Sequence, residues 1–388
     1  MSNLRSVLLL CWRDTGHPQG GGSEAYLQRI GAQLAATGVA VTLRTARYAG
    51  APRRETVDGV RISRAGGRYS VYLWALAWMA WKELTARVAP GPLRWGRPDV
   101  VVDTQNGIPF AARLIYGRRV AVLVHHCHRE QWPVAGPLLS RFGWFVESRL
   151  SPRLHRRNQY VTVSLPSARD LVELGVDNER IAIVRNGLDE APAKSLCGPR
   201  AGTPRVVVLS RLVPHKQIED ALNAVAVLLA RIPDLHLDVV GDGWWRRRLV
   251  EHAERLGISG AVTFHGHVDD VTKHHLVQRC WVHVLPSRKE GWGLAVIEAA
   301  QHRVPTIGYR HSGGLSDSII DGVTGVLVND AGELVNRLEQ LLTDAVLREQ
   351  LGTKAQTRSS EFSWRQSAAA MRGVLDAVHA GYRVSGLV

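Results

Sequence analysis

Short apolar segments alternate with longer amphipathic segments along the chain. In the first half, apolar runs predict strands and helically spaced apolar positions predict helices. The predicted strands span residues 6–10, 40–45, 100–103, 120–124 and 160–163. The predicted helices span residues 23–37, 71–88, 108–115 and 167–174. This alternation is typical of parallel α/β sheets.

A second series of the same kind follows a segment, residues 186–204, that is rich in Pro, Gly and Ala and lacks periodicity. Its strands are predicted at 205–209, 236–240, 262–265, 282–285, 306–308 and 325–328, with helices starting near residues 218, 244, 271, 294, 315 and 332. A last helix follows residues 362–364. We therefore predict two Rossmann-like, doubly wound α/β domains facing a central cleft, with ligands at the carboxyl ends of the strands. The predicted domains are 1–188, 189–362 and a C-terminal helix in 363–388 that packs back on the first domain.

Length and composition agree with this organisation. A chain of 388 residues suits two domains, and 45% hydrophobic residues suffice for full cores. No apolar run is long enough to span a membrane, and the apolar run at 7–10 is too short for a signal-peptide core. The four cysteines are widely spaced without a CxxC pair, which indicates a reduced chain without disulfides or a zinc finger. These features predict a cytoplasmic protein.

The charge is strongly positive, with a formal net charge of +14 and a pI of about 10.2. Nearly all basic residues are arginines, which a GC-rich genome explains. The excess of basic over acidic residues is not explained in that way. It implies an anionic partner, which could be nucleic acid, anionic lipid headgroups or a phosphorylated substrate.

Four polar segments follow predicted strands in the second half. SRLVPHK (210–216) offers Arg211 and Lys216, which can both reach a diphosphate or can be ordinary surface cations. VVGDGWW (239–245) lacks the third glycine of a dinucleotide fingerprint. In FHGH (264–267), surface positions are expected for both histidines, with a backbone contact to a base near Gly266.

The fourth segment, PSRKEGWGLAVIEAA (286–300), contains two glutamates, Glu290 and Glu298, in an otherwise apolar and glycine-rich stretch. Carboxylates in such a place can accept pairs of sugar hydroxyls, beside a helix N-terminus that favours phosphate. In the alternative interpretation, Glu290 caps the helix and Glu298 forms a structural salt bridge. The residues alone leave both interpretations open.

The E-x7-E spacing of Glu290 and Glu298 resembles the signature of retaining glycosyltransferases of family 4, which have the GT-B fold. Six further segments resemble the family's other blocks, in the expected order: 17–43, 162–189, SRLVPHK, VGDGWW, FHGHV and 313–328. One departure is a third glycine followed by Ser23, where many relatives have GGxE, although Glu24 still follows.

The resemblance implies roles for individual residues. Glu290 would contact the donor sugar and Glu298 the ribose, while Arg211 and Lys216 would neutralise the leaving diphosphate. Backbone amides of residues 20–22 would lie near the diphosphate and the acceptor. His125, with His126 as the alternative, would lie near the transferring sugar. The predicted catalytic residues are Arg211, Lys216, Glu290 and His125, and the remaining predicted donor contacts are Gly21, Gly22, Gly241, His267, Gly291, Gly293, Leu294 and Glu298.

The implied reaction moves a sugar, mannose or glucose in the first place, from GDP-mannose or UDP-glucose to an acceptor hydroxyl with retention of configuration. The family is thought to use front-face attack, in which the leaving phosphate accepts the proton. The chain has no D-x-D motif, so we expect no metal and no other cofactor; Arg211, Lys216 and helix-end amides would supply the positive charge. The histidines at 125, 126 and 128 do not suggest a metal site, because adjacent side chains diverge and no carboxylate partner is evident.

The acceptor side is predicted from aromatic and basic segments of the first half. Trp74, Trp78 and Trp81 lie at i, i+4 and i+7, on one face of the predicted helix at 71–88. They suit either a helix packed into the domain core, which we favour, or a membrane interface. The segment 132–160 is also basic, with Arg149, Arg153, Arg156 and Arg157 among its residues. Together these segments predict an anionic membrane surface as a partner, a peripheral location on the inner face of the plasma membrane, and a lipid or glycan acceptor.

Three other functions would each explain part of the sequence. A nucleic-acid-binding protein would explain the charge but not the carboxylates at strand ends, and no recognition motif is present, so no nucleic-acid partner is expected. A nucleotide-sugar epimerase of the same fold would lack an acceptor. A dinucleotide-dependent oxidoreductase is disfavoured by the incomplete fingerprint. Fold alone does not decide among them.

Overall fold

The computed structural model describes residues 4–88, 97–129, 132, 136–192 and 199–388, so Cys197 and part of the predicted linker lie outside the described residues. The chain divides into two compact units. Unit 1 comprises Met1–Gly187 and Trp364–Val388, and unit 2 comprises Leu188–Ser363. The boundaries therefore fall at 187/188 and 363/364, whereas the sequence placed them at 188/189 and 362/363.

Unit 1 is built on a nine-stranded sheet in the order β15-β8-β7-β6-β5-β1-β2-β4-β3. Its strands are β1 (Ser6–Leu10), β2 (Ala40–Thr45), β3 (Arg54–Val57), β4 (Val60–Arg64), β5 (Val100–Thr104), β6 (Val120–Val124), β7 (Gln159–Thr162), β8 (Ile181–Ile183) and β15 (Gly386–Leu387). Among the described strand pairs of this sheet, only β3–β4 is antiparallel. The central strands β5 and β6 are buried along their whole length, because helices cover both faces of the sheet.

The helices of unit 1 are α1 (Gly22–Ala36), α2 (Val71–Val88), α3 (Arg113–Tyr116), α4 (Pro137–Phe145), α5 (Ser151–Leu154), α6 (Leu165–Glu173) and α14 (Trp364–Ala380). A π-helical turn, Val146–Leu150, joins α4 to α5. The C-terminal helix α14 packs against α1, and Trp364 meets Tyr26 edge-on with ring centroids 5.9 Å apart.

The helix predicted at 108–115 is wrong, since α3 covers only Arg113–Tyr116. The segment before it is a loop anchored by the buried carboxylate of Asp103, which accepts the N–H groups of Phe110 and Ala112 at 2.8 and 2.9 Å. Ala111 has a φ of 56°, outside the right-handed helical region. The β3–β4 hairpin, the short strands β8 and β15, and the helices between 137 and 154 were not predicted.

Unit 2 carries a fully parallel six-stranded sheet in the order β11-β10-β9-β12-β13-β14. Its strands are β9 (Arg205–Leu209), β10 (His236–Val240), β11 (Val262–Gly266), β12 (Val282–Leu285), β13 (Thr306–Tyr309) and β14 (Gly325–Val328). Its helices are α7 (Ile218–Leu228), α8 (Arg246–Arg255), α9 (Asp270–Arg279), α10 (Leu294–Ala300), α11 (Leu315–Ser318), α12 (Ala331–Thr343) and α13 (Ala345–Ser359). Helix α13 was not predicted, and α8 begins two residues after the expected start at Trp244.

In the unit 2 sheet, the order in which successive strands are added reverses between β9 and β12. From β9 the chain adds β10 and β11 on one side and then returns to place β12 on the other side. Ligands of such sheets bind outside the carboxyl ends of the two strands that flank the reversal. In the described part of the chain, no helix is long and apolar enough to cross a membrane.

Candidate active site

The loops that follow β9 and β12 lie side by side at the reversal point. The N–H of Arg288 donates to the carbonyl of His215 at 2.9 Å, which joins the two loops. The β9 loop ends in a short 3₁₀ turn, Pro214–Lys216, and Gln217 then takes a left-handed conformation at the start of α7. This turn directs the Lys216 side chain toward the β12 loop.

Lys216 and Glu290 form a direct ion pair, with Nζ 2.5 Å from Oε1. The Ser287 hydroxyl donates to the same oxygen at 2.6 Å. Oε2 has no hydrogen bond to any described residue, so it remains open to a ligand hydroxyl. Burial raises the pKa of Glu290, but the charge and hydrogen bond of Lys216 outweigh burial and hold this pKa below its ordinary value.

The backbone of Glu290 is fixed by the segment after β13. Its N–H donates to the Ser312 carbonyl at 2.8 Å, and its carbonyl accepts the Gly314 N–H at 3.0 Å. A Cβ at position 314 would lie 2.2 Å from the carbonyl oxygen of Gly291, so only glycine allows this approach. The Ser312 hydroxyl also donates to the carbonyl of Ser287. Three chain segments thus hold one carboxylate.

Glu298 lies on α10 and pairs with Lys273 of α9, whose Nζ is 2.8 Å from its Oε1. Lys273 also donates to Asp270 at 2.9 Å. Burial lowers the pKa of Lys273, but the charge and hydrogen bond of Glu298 raise it above its ordinary value. As in Glu290, Oε2 has no hydrogen bond to any described residue. The salt bridge considered for Glu298 is therefore present, and it leaves one carboxylate oxygen available.

The glycines of the β10 loop serve close backbone packing. Gly241 has a φ of 126°, and a Cβ there would lie 2.0 Å from the Ser210 carbonyl oxygen. A Cβ at Gly243 would lie 2.1 Å from the Leu212 carbonyl oxygen, and the Leu212 N–H donates to Asp242 at 2.9 Å. These contacts clamp the loop on both sides of Arg211, whose side chain is exposed.

The other predicted donor residues of unit 2 lie nearby at the same edge. Gly291, Gly293 and Leu294 form the turn into α10, where Gly293 has a φ of 88°. His267 is exposed, as the sequence predicted, while His265 is half-buried and bound to Asp238 at 2.8 Å. The surface position expected for His265 is therefore wrong, because a buried mid-strand carboxylate holds it.

In unit 1, the glycine-rich loop leads directly into α1. The Gly21 N–H donates to Glu24 Oε2 at 2.8 Å, and Glu24 Oε1 accepts Arg13 Nε at 3.1 Å. The buried capping carboxylate uses the Gly21 N–H, and the place of Gly21 among the donor contacts stays a prediction. Gly22, the first residue of α1, has open space around its Cα.

His125 follows β6 and is 6% exposed. Its ring meets Tyr26 edge-on at 5.1 Å, and its Nε2 has no hydrogen-bond partner among the described residues. Burial lowers the pKa of His125 to about 4, so its imidazole is neutral at neutral pH. His126 is less buried and packs against His128, with ring centroids 4.5 Å apart.

The buried carboxylate of Glu147, in the π-helical turn, was missed in the sequence. It accepts the His128 N–H at 2.9 Å and the Trp132 indole N–H at 2.7 Å, and it lies 3.1 Å from His128 Nδ1. It therefore ties His128 and Trp132 to the π-helical turn. Nowhere in the described ranges do three or more His, Cys, Asp or Glu side chains form a group that could hold a metal ion.

The predicted acceptor-side tryptophans divide into two environments. Trp74 and Trp81 are 57% and 63% exposed, whereas Trp78 is partly buried. The buried face of α2 consists of Val71, Ala75 and Met79 instead. The interpretation that these side chains pack into the domain core is therefore wrong for Trp74 and Trp81. The arginines of 132–160 are exposed at positions 149, 153, 156 and 157.

Family models identify the chain. Residues 20–192 match Glycosyltransferase Family 4, and residues 198–358 match Glycosyl transferases group 1. Together these two matches span most of the chain. The protein belongs to the family 4 glycosyltransferases, as the sequence resemblance predicted, and it acts on a nucleotide-sugar donor. This class is the one that the sequence favoured over the epimerase, oxidoreductase and nucleic-acid-binding alternatives.

Named relatives support the same class. The chain is 28% identical over 351 residues to a glycogen synthase of Mycobacterium tuberculosis, covering 85% of this chain and 83% of that protein. It is 30% identical over 254 residues to a GDP-mannose-dependent alpha-(1-6)-phosphatidylinositol monomannoside mannosyltransferase of Mycolicibacterium smegmatis. That match covers 61% of this chain and 64% of the relative.

Solved structures show the same fold. A sucrose-phosphate synthase from Thermosynechococcus elongatus superposes with a TM-score of 0.79 at 21% identity, covering 97% of this chain and 99% of that one. Anabaena Alr3699/HepE in complex with UDP and glucose gives a TM-score of 0.72 at 19% identity, covering 96% of this chain and 100% of that one. The predicted GT-B fold is confirmed.

Proposed function

We propose that this glycosyltransferase moves mannose or glucose from a nucleoside diphosphate to an acceptor hydroxyl, with retention of configuration and without a metal ion. The observation that carries the proposal is the Lys216–Glu290 ion pair at the carboxyl ends of β9 and β12. This position is where parallel sheets of this topology bind nucleotides.

Lys216 and Arg211 are proposed to stabilise the leaving diphosphate. An ammonium has three N–H donors, and Lys216 uses one for Glu290, which leaves two for phosphate oxygens. Arg211 adds a planar fork suited to a second phosphate. Fixed positive charge at the departing group lowers the barrier without a metal, because the groups need not reorganise during the reaction.

The two glutamates are proposed to accept hydrogen bonds from hydroxyl groups of the donor. Each is held through Oε1 by a lysine, and each has Oε2 unused by described residues. A carboxylate fixed in this way accepts a hydroxyl hydrogen bond at little entropic cost. We assign the donor sugar to Glu290 and the ribose to Glu298. Neutral His125 is assigned to hydrogen bonding near the sugar, since its low pKa excludes a positive charge at neutral pH.

The comparisons support two candidate sugar donors, GDP-mannose and UDP-glucose. The mannosyltransferase relative is named for GDP-mannose, and the HepE neighbour binds UDP and glucose. The relatives are named for different acceptors, including glycogen synthase and a phosphatidylinositol monomannoside enzyme. We therefore propose GDP-mannose or UDP-glucose as the donor.

A lipid or lipid-linked cell-envelope acceptor is supported by the surface of unit 1. Helix α4 exposes Leu138, Phe142 and Phe145 at 83%, 60% and 55%, spaced i, i+4 and i+7. Arg141 on α4 and Arg149 in the following π-helical turn are also exposed. Exposed apolar side chains flanked by arginines suit the interface of an anionic bilayer. We accordingly propose peripheral binding to the inner face of the plasma membrane.

The donor site is tested by thermal stabilisation with UDP, GDP, ADP and their sugars, with and without EDTA. We expect one nucleotide class to raise Tm, with no effect of EDTA. Glu298→Ala should weaken that nucleotide at least about tenfold, because a hydrogen bond to a carboxylate contributes about 1.5–3 kcal/mol.

Glu339→Ala serves as the matched control, since Glu339 is a glutamate on α12 that pairs with Arg231 away from the strand ends. Equal nucleotide affinity in Glu298→Ala and Glu339→Ala would contradict the ribose assignment. The absence of stabilisation by every nucleotide would contradict the donor site itself.

Membrane binding is tested by vesicle sedimentation. We expect the protein to bind vesicles that contain phosphatidylglycerol, and to bind less as salt rises. Phe142→Ser with Phe145→Ser should reduce the bound fraction at least about fivefold, because two aromatic rings no longer enter the interface. Val346→Ser, at an apolar position of α13 that is 69% exposed, is the control. Equal binding by the α4 variant and the control would contradict the proposed surface.

A further inference from the structure

A row of polar side chains crosses three strands at the edge of the unit 1 sheet. Arg44 of β2 pairs in register with Ser63 of β4, and Ser63 pairs with Arg54 of β3. Residues in register project from the same face of a sheet, so these side chains form one row. Arg44 Nη1 donates to the Ser63 hydroxyl at 2.7 Å.

Helix α2 covers part of this row and adds a third cation. The Arg44 guanidinium carbon lies 5.3 Å from the centroid of the Trp78 ring, and Lys82 Nζ lies 5.6 Å from the same centroid. Lys82 follows Trp78 by one helical turn, which places both side chains on one side of α2. We define the edge cluster as four polar residues and one aromatic residue: Arg44, Arg54, Lys82, Ser63 and Trp78.

The two arginines of the edge cluster carry unmatched positive charge. Arg44 is 6% exposed, and its buried Nε has no hydrogen-bond partner among the described residues. Neither Arg44 nor Arg54 forms an ion pair with a carboxylate in the described part of the chain. Burial lowers the pKa of both Arg44 and Lys82, and the positive charge of Arg54 lowers each further.

A buried guanidinium without a counter-ion is costly, and an apolar residue at the same place would be tolerated better. An anion would supply the missing charge and would accept the unused N–H of Arg44. Phosphate oxygens match the fork of arginine and also accept from an ammonium.

We propose that the edge cluster is a phosphate-binding site of unit 1, distinct from the donor site of unit 2. Trp74 and Trp81 lie one turn before and after Trp78 and are exposed. The phosphate can therefore come from a lipid headgroup at a bilayer that these tryptophans contact, or from a soluble phosphate. The site does not depend on the donor assignments.

The test compares the wild type, Arg54→Gln/Lys82→Gln and the control Arg47→Gln/Arg53→Gln. The control removes two exposed arginines close in sequence to the row but outside it, so net charge is matched. Inorganic phosphate is titrated calorimetrically at constant ionic strength. We expect the cluster variant to lose at least about tenfold in phosphate affinity and the control to lose less than twofold. The donor loops are unchanged in all three proteins, so any phosphate bound at those loops contributes equally to the three titrations.

The second arm uses phosphatidylcholine vesicles with and without phosphatidylglycerol. Loss of vesicle binding in the cluster variant alone supports the site with a headgroup as its ligand, and loss of soluble phosphate alone supports it with a free phosphate. Equal phosphate and vesicle binding in the cluster variant and the control overturns the proposal.

Stability without phosphate gives a further check. Arg54→Gln alone should melt at or above the wild-type Tm, because its repulsion of Arg44 is relieved. A lower Tm in the absence of phosphate would mean that these cations serve packing, which also overturns the proposal. Nucleotide binding is measured in parallel, and its failure would concern the donor site only.

Discussion

Lys216→Ala is expected to lower kcat/KM for sugar transfer by about 10²–10⁴, as loss of a fixed charge at a leaving group does in other enzymes. The substitution has two effects at once. It removes a cation from the diphosphate, and it removes the ion-pair partner of Glu290 at 2.5 Å. The rate is measured with the donor found in the nucleotide panel, using water as the acceptor until a better one is known.

Loss of the ion-pair partner of Glu290 should also change the pH dependence of the rate. Burial raises the pKa of Glu290, and in the wild type Lys216 more than offsets that rise. Without Lys216 the carboxyl should hold its proton to higher pH, so the acid limb of the variant's pH–rate profile should move upward. Lys216→Arg keeps the charge and should restore the wild-type acid limb.

Lys354→Ala is the matched control, because Lys354 is an exposed lysine on α13. A double variant, Lys216→Ala/Glu290→Ala, should cost much less than the sum of the single losses, since the two residues act as a unit. A loss below tenfold in Lys216→Ala with an unchanged Tm, or simple additivity in the double variant, would contradict the proposed role.

Acid is expected to destabilise both units between about pH 6.5 and 4. Each unit contains buried histidines whose pKa is lowered mainly by burial. In unit 1, His125 and His155 both have a pKa of about 4. In unit 2, the values are about 3 for His283 and about 4 for His302. These imidazoles are 0–7% exposed, so solvent screens their protonation little.

The sign follows from proton linkage. The unfolded chain protonates these histidines near pH 6.5, whereas the folded chain resists until about pH 4. Their contribution to stability is complete above pH 6.5 and is lost as pH falls through this window. Each histidine costs about 1.4 kcal/mol per pH unit, so two in one unit cost roughly 5 kcal/mol between pH 6.5 and 4.5, an amount similar to the whole stability of many domains.

The measurement is the free energy of unfolding by urea at several pH values. His283→Asn keeps an amide near Nδ1, which lies 3.0 Å from the Thr306 hydroxyl, and it cannot be protonated. The variant should show a smaller loss of stability toward acid than the wild type. His275→Asn, at an exposed position of α9, should leave the slope unchanged. Identical slopes for His283→Asn and the wild type would contradict the assignment.

The edge cluster and the α4 surface are both proposed binding surfaces for an anionic ligand or membrane. Both lie in unit 1, and exposed aromatic rings lie beside each of them, Trp74 and Trp81 on α2 and Phe142 and Phe145 on α4. The two tests separate them, because the α4 variants remove apolar contact and the cluster variants remove charge. Both surfaces also offer a reason for the excess of basic residues that the sequence alone could not place.

The sequence by itself determined the fold class and the placement of the donor segments. Strands β1, β2, β6, β9, β10, β12 and β14 and helix α2 have the predicted bounds, because an apolar run or a helical stripe encodes them locally. Glu290, Lys216 and Arg211 follow strands that the sequence located, and parallel strands bring their carboxyl ends to one edge. Their roles in the reaction remain predictions.

Only the tertiary structure decided which side chains are partners. Lys273 lies 25 residues before Glu298, and Ser312 lies 25 residues after Ser287, so no local pattern joins them. The edge cluster depends on the β3–β4 hairpin, whose strands are too short and too polar to stand out. Trp74, Trp78 and Trp81 share one helical stripe, yet burial separates them, because α2 turns Val71, Ala75 and Met79 to the core. The periodicity of a helix predicts which side chains share a face, but tertiary packing decides whether that face is buried or exposed.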